Sequence, residues 1–210
     1  TPWIGRISLI IVSPGIDWQH KTLNELRSKK IPMRGEADLA WERLSHISSI
    51  GITGTNGKTT VTSMLNHVLK FNSFKTDMGG NIGKALSKIA LERNQKNSKK
   101  LNWLVLELSS YQIEGSPRIK PKIGIWTTFT PDHLERHKDI ETYFKIKRCL
   151  LEKSSIRIYN SDDQYLLNKR QELPEGIWVG TNDQSSYSHY PKFWIDQKGY
   201  IFENKMQLFH

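Results

Sequence analysis

The segment Thr53-Gly54-Thr55-Asn56-Gly57-Lys58-Thr59-Thr60 has the residue types and order of a phosphate-holding loop. Glycines let a backbone turn its N–H groups toward an anion. A helix beginning at the lysine adds its positive end. Lys58 then reaches β- and γ-phosphates, and the Thr59 hydroxyl suits Mg²⁺. Only two residues separate Gly54 from Gly57, so the general pattern with four is not matched. A ligand-free glycine turn is the alternative.

Other positions carry reactive or ligating groups. Glu107 closes the apolar run WLVLEL and precedes Ser109-Ser110-Tyr111-Gln112. A carboxylate at the C-terminal end of a buried strand sits where open α/β sheets bind ligands, and it suits a nucleotide's Mg²⁺. It equally suits the cap of a following helix. Asp132-His133 follows residues 123–129 in the same way. A histidine there is either a ligand or a structural or exposed side chain. Asn81, in Gly79-Gly80-Asn81-Ile82-Gly83, offers an amide to a polar ligand, or tolerates a left-handed turn.

Lys147 falls at i+7 from Ile140, i+4 from Tyr143 and i+3 from Phe144, on the apolar face of a helix over 139–152. Periodicity favours a lysine that snorkels outward. The alternative is a desolvated, neutral amine able to add carbon dioxide and become an anionic carbamate. Cys149, on the same helix, reads as a packing residue.

The elements that must hold these groups alternate strand and helix. Strands are expected at 6–12, 47–53, 75–78, 103–108, 123–129 and 156–160, and helices at 21–29, 37–44, 58–71, from 84 to about 91, and 139–152. Val61, Met64, Leu65, Val68 and Leu69 make the clearest amphipathic stripe. Such alternation predicts an α/β fold, a mostly parallel sheet with flanking helices. After residue 175 the runs at 177–179, 193–195 and 200–202 are short and turn-bounded, which predicts a small antiparallel portion. A domain boundary is expected near 44–49.

Composition narrows the function classes. The single cysteine, Cys149, excludes an internal disulfide framework and a cysteine zinc cage, and favours a reducing compartment. No leader is visible in residues 1–15, so the cytoplasm is expected. No apolar run approaches the ~18 residues of a membrane span. The net charge of +10 raises the question of nucleic acid. The lysines are scattered, however, and the densest run, residues 96–100 (KNSKK), reads as a solvated loop. No nucleic-acid or membrane partner is therefore expected.

The segments TGTNGKTT, GGNIG, LELSSYQIE, TPDHLERH and YFKIK, in this order, resemble the Mur ligases. The resemblance implies a P-loop ATPase-like central domain and an ATP-dependent, amide-bond-forming ligase of peptidoglycan synthesis. Ser13-Pro14-Gly15-Ile16 and the segment from Glu107 to Glu114 point within the family to the addition of D-glutamate to UDP-N-acetylmuramoyl-L-alanine, through an acyl phosphate. Carried over motif by motif, Gly54, Thr55, Asn56, Gly57, Lys58, Thr59 and Thr60 hold the ATP phosphates. Thr59 and Glu107 hold a first Mg²⁺, and His133 and carbamylated Lys147 hold or orient a second. Lys58, His133 and Lys147 are the implied catalytic residues. Asn81 and His133 lie near the muramoyl substrate, and Gly15 near its diphosphate. Residues 1–46 correspond to the end of a UDP-sugar-binding domain and 47–210 to an incomplete central ATP-binding domain. A monomer is expected. Family members are longer than this chain, whose 210 residues alone are expected not to ligate. Another ligase of the superfamily, such as a folylpolyglutamate synthase, and a non-catalytic nucleotide-binding fragment are the alternatives.

Overall fold

A computed structural model describes residues 4–95, 100–181 and 191–209. Residues 96–99 of the basic run lie outside them. The chain opens with a single 3-10 turn, then β1 (Ile10–Val12), α1 (Lys21–Ser28), β2 (Met33–Gly35) and α2 (Glu36–Leu44). β1 and β2 pair in parallel as a separate two-stranded sheet. β1 is shorter than the expected 6–12 because its partner offers only three residues. β2 was not expected: it is one residue past Pro32, ends at a glycine, and is too short to alternate.

The main sheet follows. Its first part comprises β3 (Ser49–Thr53), α3 (Lys58–Phe71), β4 (Thr76–Gly80), α4 (Leu86–Arg93), β5 (Trp103–Glu107), α5 (Ser110–Gly115) and β6 (Ile123–Trp126). Then come α6 (Leu134–His137), α7 (Ile140–Glu152), β7 (Ile156–Asn160), α8 (Gln164–Asn168) and β8 (Ile177–Thr181). β9 (Phe193–Ile195), β10 (Ile201–Glu203) and β11 (Met206–Phe209) end the described chain. The nine strands are ordered β11-β10-β9-β8-β7-β6-β3-β5-β4. All pairs from β4 to β9 are parallel. The antiparallel part is confined to β9-β10-β11, so β8, expected within it, belongs to the parallel sheet.

Strand alternation divides the core. Leu104 and Leu106 of β5 and Trp126 of β6 enter a large cluster with Leu44 of α2, Leu86 of α4 and Leu150 of α7. Val105, Ile50 and Ile52 point to the opposite face, where Val61, Leu65 and Leu69 of α3 pack on them. The expected α3 stripe is thus only half used: Met64 is 62% exposed and Val68 52%. An i, i+4, i+8 row meets the sheet, and the residues beside it face outward. Among the described residues, no helix is long and apolar enough to cross a membrane.

Candidate functional site

The C-terminal ends of β3, β5 and β6 are adjacent, and the loops leaving them build the site. The loop after β3 turns on Gly54 (φ 151°) and Gly57 (φ 79°), and α3 begins at Lys58. Residues following β6 hold it. Thr55 N donates to Thr128 O (2.8 Å) and Asn56 N to Thr128 Oγ1 (2.9 Å), while Thr127 Oγ1 donates to Asn56 O (2.6 Å). β6 thus ends at Trp126 and not at 129: Thr127 still donates its N–H to Thr53 O at 3.0 Å, but beyond it the chain turns to brace the loop. It also engages two loop N–H groups, leaving the first-turn N–H groups of α3, which have no intrahelical acceptor, for an anion. Sequence reasoning missed both threonines, whose only signal was their place just after a buried strand.

A Cβ on Gly54 would overlap Thr127 Oγ1 and press on the Thr128 backbone. Gly54→Ala is therefore expected to destabilise the fold by about 2–4 kcal/mol, through clash and backbone strain together. Urea unfolding of the two proteins checks this.

Glu107 has the same strand parity as Val105, so it points to the α3 face. There it is 1% exposed. Thr59 Oγ1 donates to its Oε2 and Asn81 Nδ2 to its Oε1, each at 2.8 Å. Glu107 is thus no helix cap: Ser109 caps α5, in a reciprocal box with Gln112. Thr60 is exposed in the first turn of α3. Lys58 is half-buried and folds back on its own loop, donating to Gly54 O (2.9 Å) and Thr55 O (2.7 Å). Burial lowers its pKa, against the raising effect of Glu107 and Asp132.

Lys147 departs from the snorkelling expectation. It is 1% exposed, and its Nζ donates to Gly54 O (2.8 Å) and lies 3.5 Å from Thr53 Oγ1. The Tyr143 ring lies 4.6 Å from the amine. Helix α7 packs against α5, β3 and β6, and with Tyr143, Phe144, Leu150 and Leu151 of α7 also buried, Lys147 is covered on all sides. Burial, then the charge of Lys58, brings its pKa down to about 7. The amines of Lys58 and Lys147 share one carbonyl oxygen.

His133 is at the edge of this arrangement, with a half-exposed ring near Asp132 (3.4 Å) and Glu135 (3.8 Å). No hydrogen bond joins it to Lys147. Gly15 is in an exposed turn after β1. That turn is tied to the site by Asp17, which pairs with Arg136 at 3.1 Å. Cys149 packs, partly buried, against the large core cluster. Among the described residues no three His, Cys, Asp or Glu side chains gather to hold a metal. A cation at Thr59 and Glu107 would therefore take further oxygens from ligand and water, which is the habit of Mg²⁺ and not of a closed zinc cage.

A lysine and a threonine at a helix start, facing a strand-end carboxylate, are the groups that a nucleotide and its metal would require. The Mur ligase middle-domain model matches residues 52–207. The chain belongs to the Mur ligase family. Among curated relatives, a protein of Prochlorococcus marinus (strain NATL2A) named UDP-N-acetylmuramoylalanine--D-glutamate ligase is 74% identical over 210 residues, covering 100% of this chain and 45% of the relative. A protein of the same name from strain MIT 9313 of that organism is 49% identical over 208 residues, covering 99% and 45%. The chain thus spans less than half the length of the curated relatives it matches. Among solved structures, the Thermotoga maritima UDP-N-acetylmuramate-alanine ligase MurC superposes with a TM-score of 0.60 at 18% identity, over 96% of this chain and 45% of that one. The MurF ligase of the same organism, in complex with ADP, superposes at 0.57 with 16% identity, over 98% and 56%. These two likenesses concern the Mur ligase fold.

Proposed function

We propose that this chain is the nucleotide-binding part of an ATP-dependent ligase that joins D-glutamate to UDP-N-acetylmuramoyl-L-alanine in peptidoglycan synthesis. The observation that carries the reading is the meeting of Thr59, Asn81 and Glu107 at the start of α3, together with relatives so named over essentially the whole chain. Residues 54–60 would hold the ATP phosphates, with Lys58 leaving Gly54 O and Thr55 O for the β/γ region. Thr59 and Glu107 would hold Mg²⁺, which when bound would neutralise charge on the transferred phosphoryl group. His133 and carbamylated Lys147 would serve a second Mg²⁺.

The γ-phosphoryl group passes to the substrate carboxylate, giving an acyl phosphate and ADP. The D-glutamate amine then attacks the acyl carbon, loses a proton and expels phosphate. Asn81 and His133 would lie near the muramoyl-alanine end and Gly15 near the diphosphate. The Asp17–Arg136 pair supports a shared site for Gly15 and His133. We assign residues 1–46 to the UDP-sugar-binding domain and 47–210 to the central domain, although α2 packs in the core of the main sheet. The partners are small molecules, the enzyme works as a monomer, and its nucleotide-linked substrates place it in the cytoplasm.

The test uses the full-length enzyme. ADP release should require ATP, UDP-N-acetylmuramoyl-L-alanine and D-glutamate together. Release with a folate and glutamate instead, or with none of these, overturns the assignment.

A further inference from the structure

Helix α6 is a single turn, Leu134–His137, flanked by two non-glycine residues in the left-handed region: His133 (φ 52°) and Lys138 (φ 69°). Such backbone persists only where its surroundings hold it. The ring of His133 does not do this. Its neighbours Asp132 and Glu135 are themselves exposed, and Tyr111 lies 5.2 Å away. The anchor is four residues on. His137 is 2% exposed, and its Nε2 lies 2.9 Å from Ser110 Oγ, which is equally buried in the first turn of α5. The His137 ring stacks on Tyr143 of α7 at 5.2 Å and approaches Tyr111 at 5.3 Å. Its backbone N–H donates to His133 O at 3.0 Å. Ser110 is fixed in turn by the capping box of Ser109 and Gln112, directly after the strand that ends in Glu107.

We propose that His137 is a positioning residue for His133, pinning α6 to α5 through the hydrogen bond between its ring and Ser110. Nδ1 is buried without a partner among the described residues. The tautomer that avoids an orphaned N–H carries its proton on Nε2 and donates it to Ser110 Oγ. The segments after β5 and β6 are thereby held in register at the site, beside the ion pair of Arg136 on α6 with Glu114 on α5 at 2.7 Å. The kinetic part of this inference rests on the ligase reading; the structural part does not.

The test compares His137→Phe, Ser110→Ala, the double variant and His137→Gln in the full-length enzyme. Phe keeps the ring and loses the hydrogen bond, whereas the Gln amide replaces the Nε2–H donor. Phe and Ala variants should lower kcat about tenfold, leave KM for ATP unchanged, and speed amide hydrogen exchange at 134–138. The double variant should be no worse than either alone, and His137→Gln should keep both kcat and protection. Wild-type kcat in His137→Phe or Ser110→Ala, or exchange at 134–138 unmoved by them, overturns the proposal. If His137→Phe fails to fold, the milder Ser110→Ala decides by the same two readouts. If the unmodified enzyme does not ligate, the ligase reading fails, and the exchange measurement still decides whether this bond anchors α6.

Discussion

Lys147→Ala in the full-length enzyme is expected to abolish ligation, a loss of about 10³-fold or more, and Lys147→Arg is expected not to restore it. The side chain is 1% exposed and held against Gly54 O, so it does not act as a surface charge. With its pKa at about 7, a substantial share of the amine is neutral at physiological pH and open to carbon dioxide. The carbamate presents anionic oxygen, the ligand type Mg²⁺ takes, whereas an ammonium repels the metal. Guanidinium stays cationic, so arginine cannot substitute. Initial rates of ADP release, with Mg²⁺ and bicarbonate controlled, decide the matter, and a fully active arginine variant overturns the carbamate. Stability should move the other way. The folded pKa lies below the ordinary 10.5, so between about pH 7 and 10 the unfolded chain holds more protons than the folded one, and stability rises with pH across that window. The cost of the buried amine is greatest below pH 7. Lys147→Met should therefore melt higher at pH 7 in buffer free of carbon dioxide, with the rise above pH 7 flattened.

Lys58→Ala should lower the ligation rate of the full-length enzyme about 10²-fold or more, the scale of removing one electrostatic stabiliser of a transferring phosphoryl group. The fold should survive, since among the described residues the amine bonds to carbonyls of its own loop, and α3 keeps its sheet contacts through Val61, Leu65 and Leu69. Losing one of two neighbouring positive groups also relieves Lys147, whose pKa the Lys58 charge lowers. Steady-state kinetics with a melting curve as control separates the effects. Near-normal turnover with unchanged dependence on ATP rules out the phosphate-loop assignment.

Much of this was legible in the sequence. WLVLEL and the stripe of α3 declare a buried strand and a helix through their periods, and glycines with Lys58 and Thr59 declare the loop between. What was not legible depends on partners distant in sequence. Thr127 and Thr128 have no motif of their own, yet they brace the loop across a gap of more than seventy residues. Lys147 sits at an apolar helical position that a surface helix and a fully covered one share, and only tertiary packing tells them apart. His137 reads as one more polar residue in a charged stretch, and its burial follows from what α5 and α7 place around it. The four-residue helix α6 is too short for periodicity to reveal.

Strand parity sorts the site's charges before any helix is placed. Glu107, odd-numbered like Val105, faces α3, whereas Thr53 faces α7 and Lys147. The two systems meet only over the strand ends, at the carbonyl of Gly54. Spacing along a strand is thus a coordinate of the active site as much as of the core. Deleting Leu104 or Val105 would keep the phosphate loop and the carboxylate. It would nonetheless swing that carboxylate to the wrong side of the sheet, out of reach of Thr59. The site should be far less tolerant of length changes in β3 and β5 than of most side-chain substitutions there.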